Sequence, residues 1–143
     1  MSNNGKQGER IFKEVMTERN YSVEDVSNNP EYWSRDIDFI ITSPTSGLTK
    51  SFEVKWDSRI HDTSNLYLET ESINSKGGKG WLEFCEADYL AYGDAFNNTF
   101  YMIPLQELKE KLKVLPQRVA HCGYESTGLL VSLNDIEDIY TIL

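Results

Sequence analysis

Cysteine and histidine are scarce in this chain, with two of each. Cys85 and Cys122 lie far apart, as do His61 and His121, and no combination of them has the spacing of a structural zinc site. Two cysteines cannot supply the several bridges that staple small secreted domains, so they read as buried or free thiols in a reducing compartment. No Ser-His-Asp arrangement stands out. No apolar run approaches the roughly 18 residues of a membrane helix. The N-terminus lacks the basic-then-apolar pattern of a secretory signal. Internal repeats, low-complexity tracts and linkers are also missing. The expectation is a cytoplasmic protein with no membrane segment. Positive charge is in short supply too: 14 Lys and Arg stand against 23 Asp and Glu, a formal net charge of −9. That argues against a protein that grips nucleic acid over its whole surface, because phosphate neutralisation dominates such binding. A local site is still allowed, since acids gathered to bind Mg²⁺ inflate the negative charge of the metal-free chain.

What the chain does hold is enough apolar and aromatic material for one domain over residues 1–143, with six Phe, eight Tyr and three Trp to bury. Ile11, Phe12, Val15 and Met16 recur at helical spacing and predict a helix over about Lys6 to Asn20. Tyr21 to Trp33 reads as irregular, with a turn at Asn28-Asn29-Pro30. Arg35 to Thr42 and Thr49 to Asp57 read as strands of a hairpin around the turn Ser43-Pro44-Thr45-Ser46-Gly47. Further strands are expected at about Asn65 to Ser72, Ala87 to Tyr92, Thr99 to Ile103 and Gly128 to Leu133. Pro104 opens a helix carrying Leu105, Leu108 and Leu112. Asn134 caps a last helix, with Glu137 as its capping-box partner. This order predicts an α/β fold with a sheet flanked by helices.

Side chains alternate along a strand, so Glu53 and Lys55 point the same way, together with Ser51 and Asp57. Phe52, Val54 and Trp56 point the other way, into a core. In the partner strand Asp36, Asp38 and Ile40 share one face, and Ile37, Phe39 and Ile41 the other. If the charged rows face the same side, Asp38 and Glu53 become neighbours. Two carboxylates so close repel unless a cation sits between them. Hard oxygen ligands with room for water and phosphate suit Mg²⁺. A lysine beside them fits phosphodiester hydrolysis, where it stabilises charge or orients water. Glu9 lies three positions before Phe12 on the first helix and so shares the stripe of core residues. It completes the site if that helix packs near the strand ends.

The order Glu9, Asp38, Glu53-Val54-Lys55 resembles the PD-(D/E)XK nuclease superfamily, which includes Holliday junction resolvases and phage-type endonucleases. The similarity covers about residues 6 to 92. It implies a restriction-endonuclease-like mixed central sheet flanked by helices. It also implies an Mg²⁺-dependent endonuclease acting on DNA, structured or branched DNA among the candidates, with Mn²⁺ as a substitute. In that scheme Asp38 and Glu53 bind the metal, Lys55 is catalytic and Glu9 assists the metal site. DNA is then the partner, and a homodimer that pools two modest basic loops is compatible with the family. The family's proline before the aspartate is absent, Ile37 standing in its place. Asp36 is also available as the metal-holding acid; Asp38 is favoured because the apolar run Phe39-Ile40-Ile41 starts directly after it. The reading from another class is a catalytically inactive nuclease-fold protein that binds or regulates a protein partner, which an acidic surface would suit.

Glu69 and Glu71 share a face of the third strand and could extend the acidic site, although an exposed strand face explains them more cheaply. The segment Ser75-Lys76-Gly77-Gly78-Lys79-Gly80 lacks P-loop spacing. As a basic loop, Lys76 and Lys79 are candidates for DNA-backbone contact. Trp81 is expected in the core, and His61 is expected to pair with the adjacent Asp62 in a loop.

Overall fold

The strand Thr49–Asp57 (β3) gives its apolar row, Phe52, Val54 and Trp56, to one of the protein's two hydrophobic cores. Its alternation sends Phe52 and Val54 into that core while Glu53 and Lys55 point to the opposite side of the strand and pair with each other. The structure, a computed structural model, describes residues 3–72 and 78–143. Among these residues the central sheet has six strands: β1 (Ser22–Asp25), β2 (Phe39–Thr42), β3, β5 (Tyr89–Asp94), β6 (Thr99–Pro104) and β9 (Thr141–Ile142), in that spatial order. Strands β3 and β5 run parallel, while β1–β2, β2–β3, β5–β6 and β6–β9 are antiparallel. The expected mixed sheet flanked by helices is the fold observed.

Helix α1 (Asn3–Glu18) covers one face of this sheet. Its Phe12 ring sits 5.2–5.6 Å from the rings of Phe39, Phe52 and Phe100, the tilted and edge-on spacing that aromatic clusters favour. A methyl group at Gly8 would lie 2.6 Å from the Trp56 Cβ, so the helix can approach β3 this closely only with glycine there. Asn20, at φ 67°, marks the left-handed exit from the helix.

A second sheet covers the opposite face. It contains β4 (Asn65–Ser72), β8 (Ser126–Ser132) and β7 (Val119–Cys122) in that order, accompanied by helix α5 (Leu105–Val114). Leu66, Leu68, Leu90, Ile103, Leu108 and Ile136 fill the space between. No helix among the described residues is long and apolar enough to cross a membrane.

Several expectations need correction. The strand expected from Arg35 starts only at Phe39, because Asp36 adopts a left-handed backbone with φ 52°. The break rotates Ile37 into the core with Leu66 and Leu90, away from Phe39 and Ile41, whose face it was expected to share. The stretch taken as irregular holds β1 and a four-residue helix, α2 (Pro30–Trp33), capped by the Asn29 side chain accepting from the Glu31 N–H. Strand β5 starts at Tyr89 rather than Ala87: Asp88 instead ties β5 to β3, its Oδ2 accepting from the Ser51 N–H and Oγ. The last expected helix is a 3-10 turn, Leu133–Ile136, capped by Ser132 rather than Asn134. The chain then pairs as β9 with β6. Two short helical turns, α3 (Ile60–Thr63) and α4 (Trp81–Phe84), complete the elements named here.

Candidate active site

Asp38 immediately precedes β2. Phe39 pairs with Phe52, and the Asp38 N–H donates to the Phe52 carbonyl at 2.9 Å. The regular ladder stops at Phe39–Phe52, the Asp38 N–H bonding to the Phe52 carbonyl instead of carrying the pairing on to Glu53. The Asp38 Oδ2 accepts from the Val54 N–H at 2.8 Å, which fixes its carboxylate against β3. Asp38 is 8% exposed and Glu53 6%. Such burial disfavours the charged form of a carboxyl group. Desolvation, then the neighbouring Asp38 and Asp36, hold the Glu53 carboxyl well above its usual range, opposed by Lys55. Asp38 is pushed up to about 6, again mainly by burial, with the Val54 N–H and Lys55 pulling the other way.

Lys55 carries the balancing charge. Its Nζ lies 3.3 Å from Glu53 Oε1 and 4.8 Å above the Trp81 ring centroid. The ammonium is thus held from two sides, by a carboxylate and by an aromatic face. Trp81 is half-buried and packs against the core, as expected, but its contact with Lys55 was not foreseen. Nothing in the local sequence signals it, because α4 and β3 are brought together only by the tertiary fold.

Glu9 reaches the corner from α1. It is half-buried, and burial, then Asp38 and Asp25, push its carboxyl up to about 7. Asp38 is therefore the carboxylate that both Glu9 and Glu53 feel. Asp36 also lies within electrostatic reach, its carboxyl raised by burial and by Glu69 and lowered by Lys55. Glu69 turns inward where β4 is irregular between Glu69 and Glu71, and it accepts from Ser126 Oγ at 2.7 Å, whereas Glu71 is exposed. The shared exposed face expected of these two glutamates is thus lost at the bulge.

Among the described residues, no three His, Cys, Asp or Glu side chains gather tightly enough to enclose a metal ion by themselves. The donor chemistry nevertheless fits Mg²⁺: two adjacent hard carboxylates, both destabilised as anions, with a third nearby. Mg²⁺ is commonly held by one or two carboxylates, with water and phosphate completing its shell. Cys85 offers no nucleophile, because burial pushes its thiol up to about 12.

Beyond Lys55, Asp57 continues the charged row. It accepts from the buried Tyr92 hydroxyl at 2.5 Å, and that hydroxyl accepts from the Tyr67 N–H at 3.0 Å. Strand alternation gave Asp57 its direction, but its partners are the Tyr92 hydroxyl of β5 and the Arg59 N–H at 2.7 Å. Lys55, Asp57, Arg59, Tyr67, Glu69 and Trp81 border a cavity of about 380 Å³.

Other candidates separate from this corner. The Lys79 backbone bridges to Glu71 at the end of β4, so this residue is docked on the second sheet. Gly80 lies directly against the Glu69 carbonyl, where a methyl group would come within 2.5 Å. Lys76 lies outside the described residues. His61 does not pair with Asp62; its ring stacks on Phe96 at 3.9 Å, with Nδ1 3.8 Å from Asp94 Oδ2. Cys85 is buried and Cys122 exposed, both free thiols.

No protein-family model matches the chain, and no curated protein matches it. A solved structure does: the bacterial homing endonuclease I-Ssp6803I, with a TM-score of 0.53 over 90% of this chain and 76% of that one. The fold is the one that this endonuclease adopts. At 13% identity the likeness is one of fold. Within this fold, the described residues bring Asp38, Glu53 and Lys55 to one corner of the central sheet, with Glu9 approaching from the covering helix.

Proposed function

We propose that the chain is a metal-dependent endonuclease of the PD-(D/E)XK type, hydrolysing phosphodiester bonds in DNA. The observation that carries this reading is the buried carboxylates Asp38 and Glu53 gathered at β3, Asp38 fixed by the Val54 N–H, beside a lysine held 3.3 Å from Glu53, in a fold shared with a homing endonuclease. Asp38 rather than Asp36 is the metal-holding acid in this scheme. Asp38 is buried and fixed against β3 by the N–H of Val54, the residue after Glu53, whereas Asp36 sits on the left-handed backbone before the strand. Asp38 and Glu53 would hold Mg²⁺ or Mn²⁺, with Glu9 assisting. When bound, the metal supplies positive charge that polarises the phosphate. Lys55 presents its ammonium to the negative charge that develops on the phosphoryl oxygens. Glu53 and Trp81 keep that ammonium from rotating away, so that its orientation is set before substrate arrives.

Incubation with supercoiled, linear and four-way-junction DNA in Mg²⁺ or Mn²⁺ tests the reading. Cleavage of at least one substrate is expected, and failure to cut any of them with either metal overturns it. Trp81 supplies a finer test. Trp81→Leu removes a cation–aromatic contact of about 1 kcal/mol and is expected to slow cleavage about fivefold, while Trp81→Phe keeps most of the rate. Equal rates for the two variants in a single-turnover assay would remove Trp81 from the positioning of Lys55.

A further inference from the structure

On the other side of Glu9, away from Lys55, α1 and the segment between β1 and α2 enclose a groove of about 600 Å³. That volume lies within the range of sites that hold nucleotide-sized ligands. One wall carries Lys6, Arg10 and Lys13. Their spacing of four and then three residues sets them on one stripe of the helix, spanning about 10 Å along its axis. Arg10 pairs with Glu14 at 3.2 Å, but both side chains are exposed and such a pair is readily exchanged for another anion. The opposite wall carries Ser27, Asn28 and Trp33. Asp25 also lines the groove, its Oδ1 engaged by the Ser27 N–H and Oγ.

Two features of this groove are out of keeping with the rest of the molecule. In a chain with 14 basic and 23 acidic residues, three cations converge on one helical stripe. Facing them, Trp33 is 70% exposed, leaving a large aromatic face in solvent. A row of cations opposite an aromatic platform is the chemistry of single-stranded nucleic acid binding: phosphates meet the cations and an unpaired base stacks on the ring. A duplex matches it poorly, since its bases are already stacked on one another.

We infer that this groove receives a single-stranded segment of the nucleic acid substrate, with its phosphates along Lys6, Arg10 and Lys13 and one base on Trp33. The inference rests on the nuclease reading in treating the Glu9–Asp38 corner as the place where a strand is cut. Glu9 lines the groove and feels Asp38, so a strand lying there leads toward that corner. The substrate class that follows is DNA with an unpaired strand beside the scissile bond.

Fluorescence anisotropy tests this with the full chain carrying Lys55→Ala, in EDTA so that no cleavage intervenes. The probes are a short labelled oligothymidine and a duplex of the same length, each titrated over a series of salt concentrations. Oligothymidine is expected to bind more tightly than duplex. Adding Trp33→Ala is expected to weaken oligothymidine binding at least about fivefold without changing the salt slope. Trp33→Phe keeps a ring and retains most of the affinity. Replacing Lys6, Arg10 and Lys13 together by Gln is expected to flatten the slope of log affinity against log salt by about 2, or 0.7 for each phosphate contact. Equal affinity with and without Trp33→Ala overturns the inference, as does an equal loss for Trp33→Phe or an unchanged slope in the triple variant. The two readings fail separately. A wild-type chain that cuts no DNA while these binding effects hold removes the nuclease and keeps the groove. A chain that cuts DNA while Trp33→Ala binds normally removes the groove and keeps the nuclease.

Discussion

Replacing Lys55 by Ala is expected to slow single-turnover DNA cleavage by about 10²–10³-fold, the usual cost of deleting one preorganised donor to developing charge. The loss falls on the chemical step, because Lys55 is one cation among several that could meet the phosphate backbone. DNA affinity in EDTA is expected to change little. The substitution also leaves Glu53 without its ion pair in a buried setting. An isolated buried carboxylate takes up a proton instead of remaining charged. Lys55→Ala therefore weakens the metal site as well as removing the ammonium, and raising the Mg²⁺ concentration restores only the first of these losses. A variant that cuts within about threefold of wild type at saturating Mg²⁺ would sink the catalytic role of Lys55.

Stability of the metal-free protein is expected to fall as pH rises from about 4 through 7. Asp38 is raised from 3.8 to about 6 and Glu9 from 4.5 to about 7, while Glu53 is held well above its usual range. A carboxyl group raised on folding binds its proton more tightly in the native state. Its contribution is fully present below the unfolded value and is lost as pH rises through the folded one. For Asp38 alone the difference corresponds to roughly 3 kcal/mol at alkaline pH. Glu9 is half-exposed, so solvent screening makes its share smaller. Asp38→Asn keeps an acceptor for the Val54 N–H and removes the charge. It is expected to raise the melting temperature of the metal-free protein at pH 8 and to abolish most of the gain produced by Mg²⁺. Thermal melts at pH 5 and pH 8, with and without Mg²⁺, check both points. A wild-type melting temperature that is the same at both pH values, or a full Mg²⁺ gain in Asp38→Asn, contradicts this account.

The heart of this site was legible because its geometry is local. The bounds of β3 follow from its composition, and its alternation alone separates Glu53 and Lys55 from Phe52 and Val54. A short turn then fixes the hairpin register that pairs Phe39 with Phe52 and so brings Asp38 to β3, where the Val54 N–H holds it. What could not be read depends on residues distant in sequence or on backbone states that residue type does not announce. The left-handed conformation of Asp36 moved Ile37 to the other core, although alternation from Phe39 placed it otherwise. Strand β4 was found at its full length, but nothing in its pattern told that it belongs to a second sheet with β7 and β8. Its bulge, which aims Glu69 inward, is set by pairing with β8. At the C-terminal end the stripe of Ile136, Ile139 and Tyr140 suited a helix, yet only Ile136 is fully buried and the segment turns back to pair with β6. Tertiary pairing there outweighed local periodicity.

The glycine at position 8 gives the molecule a depth stop. Its backbone rests on the Trp56 Cβ, an atom that cannot swing aside as the end of a flexible side chain could. The next residue in the chain is Glu9. The distance at which α1 settles over β3 is therefore also the distance that brings Glu9 to Asp38. Any side chain at position 8 would lift the helix like a shim, carrying Glu9 outward while the Asp38–Glu53 pair stayed seated on its own two strands. Two halves of one site are thus mounted on separate parts, and the gauge between them is the absence of a single methyl group.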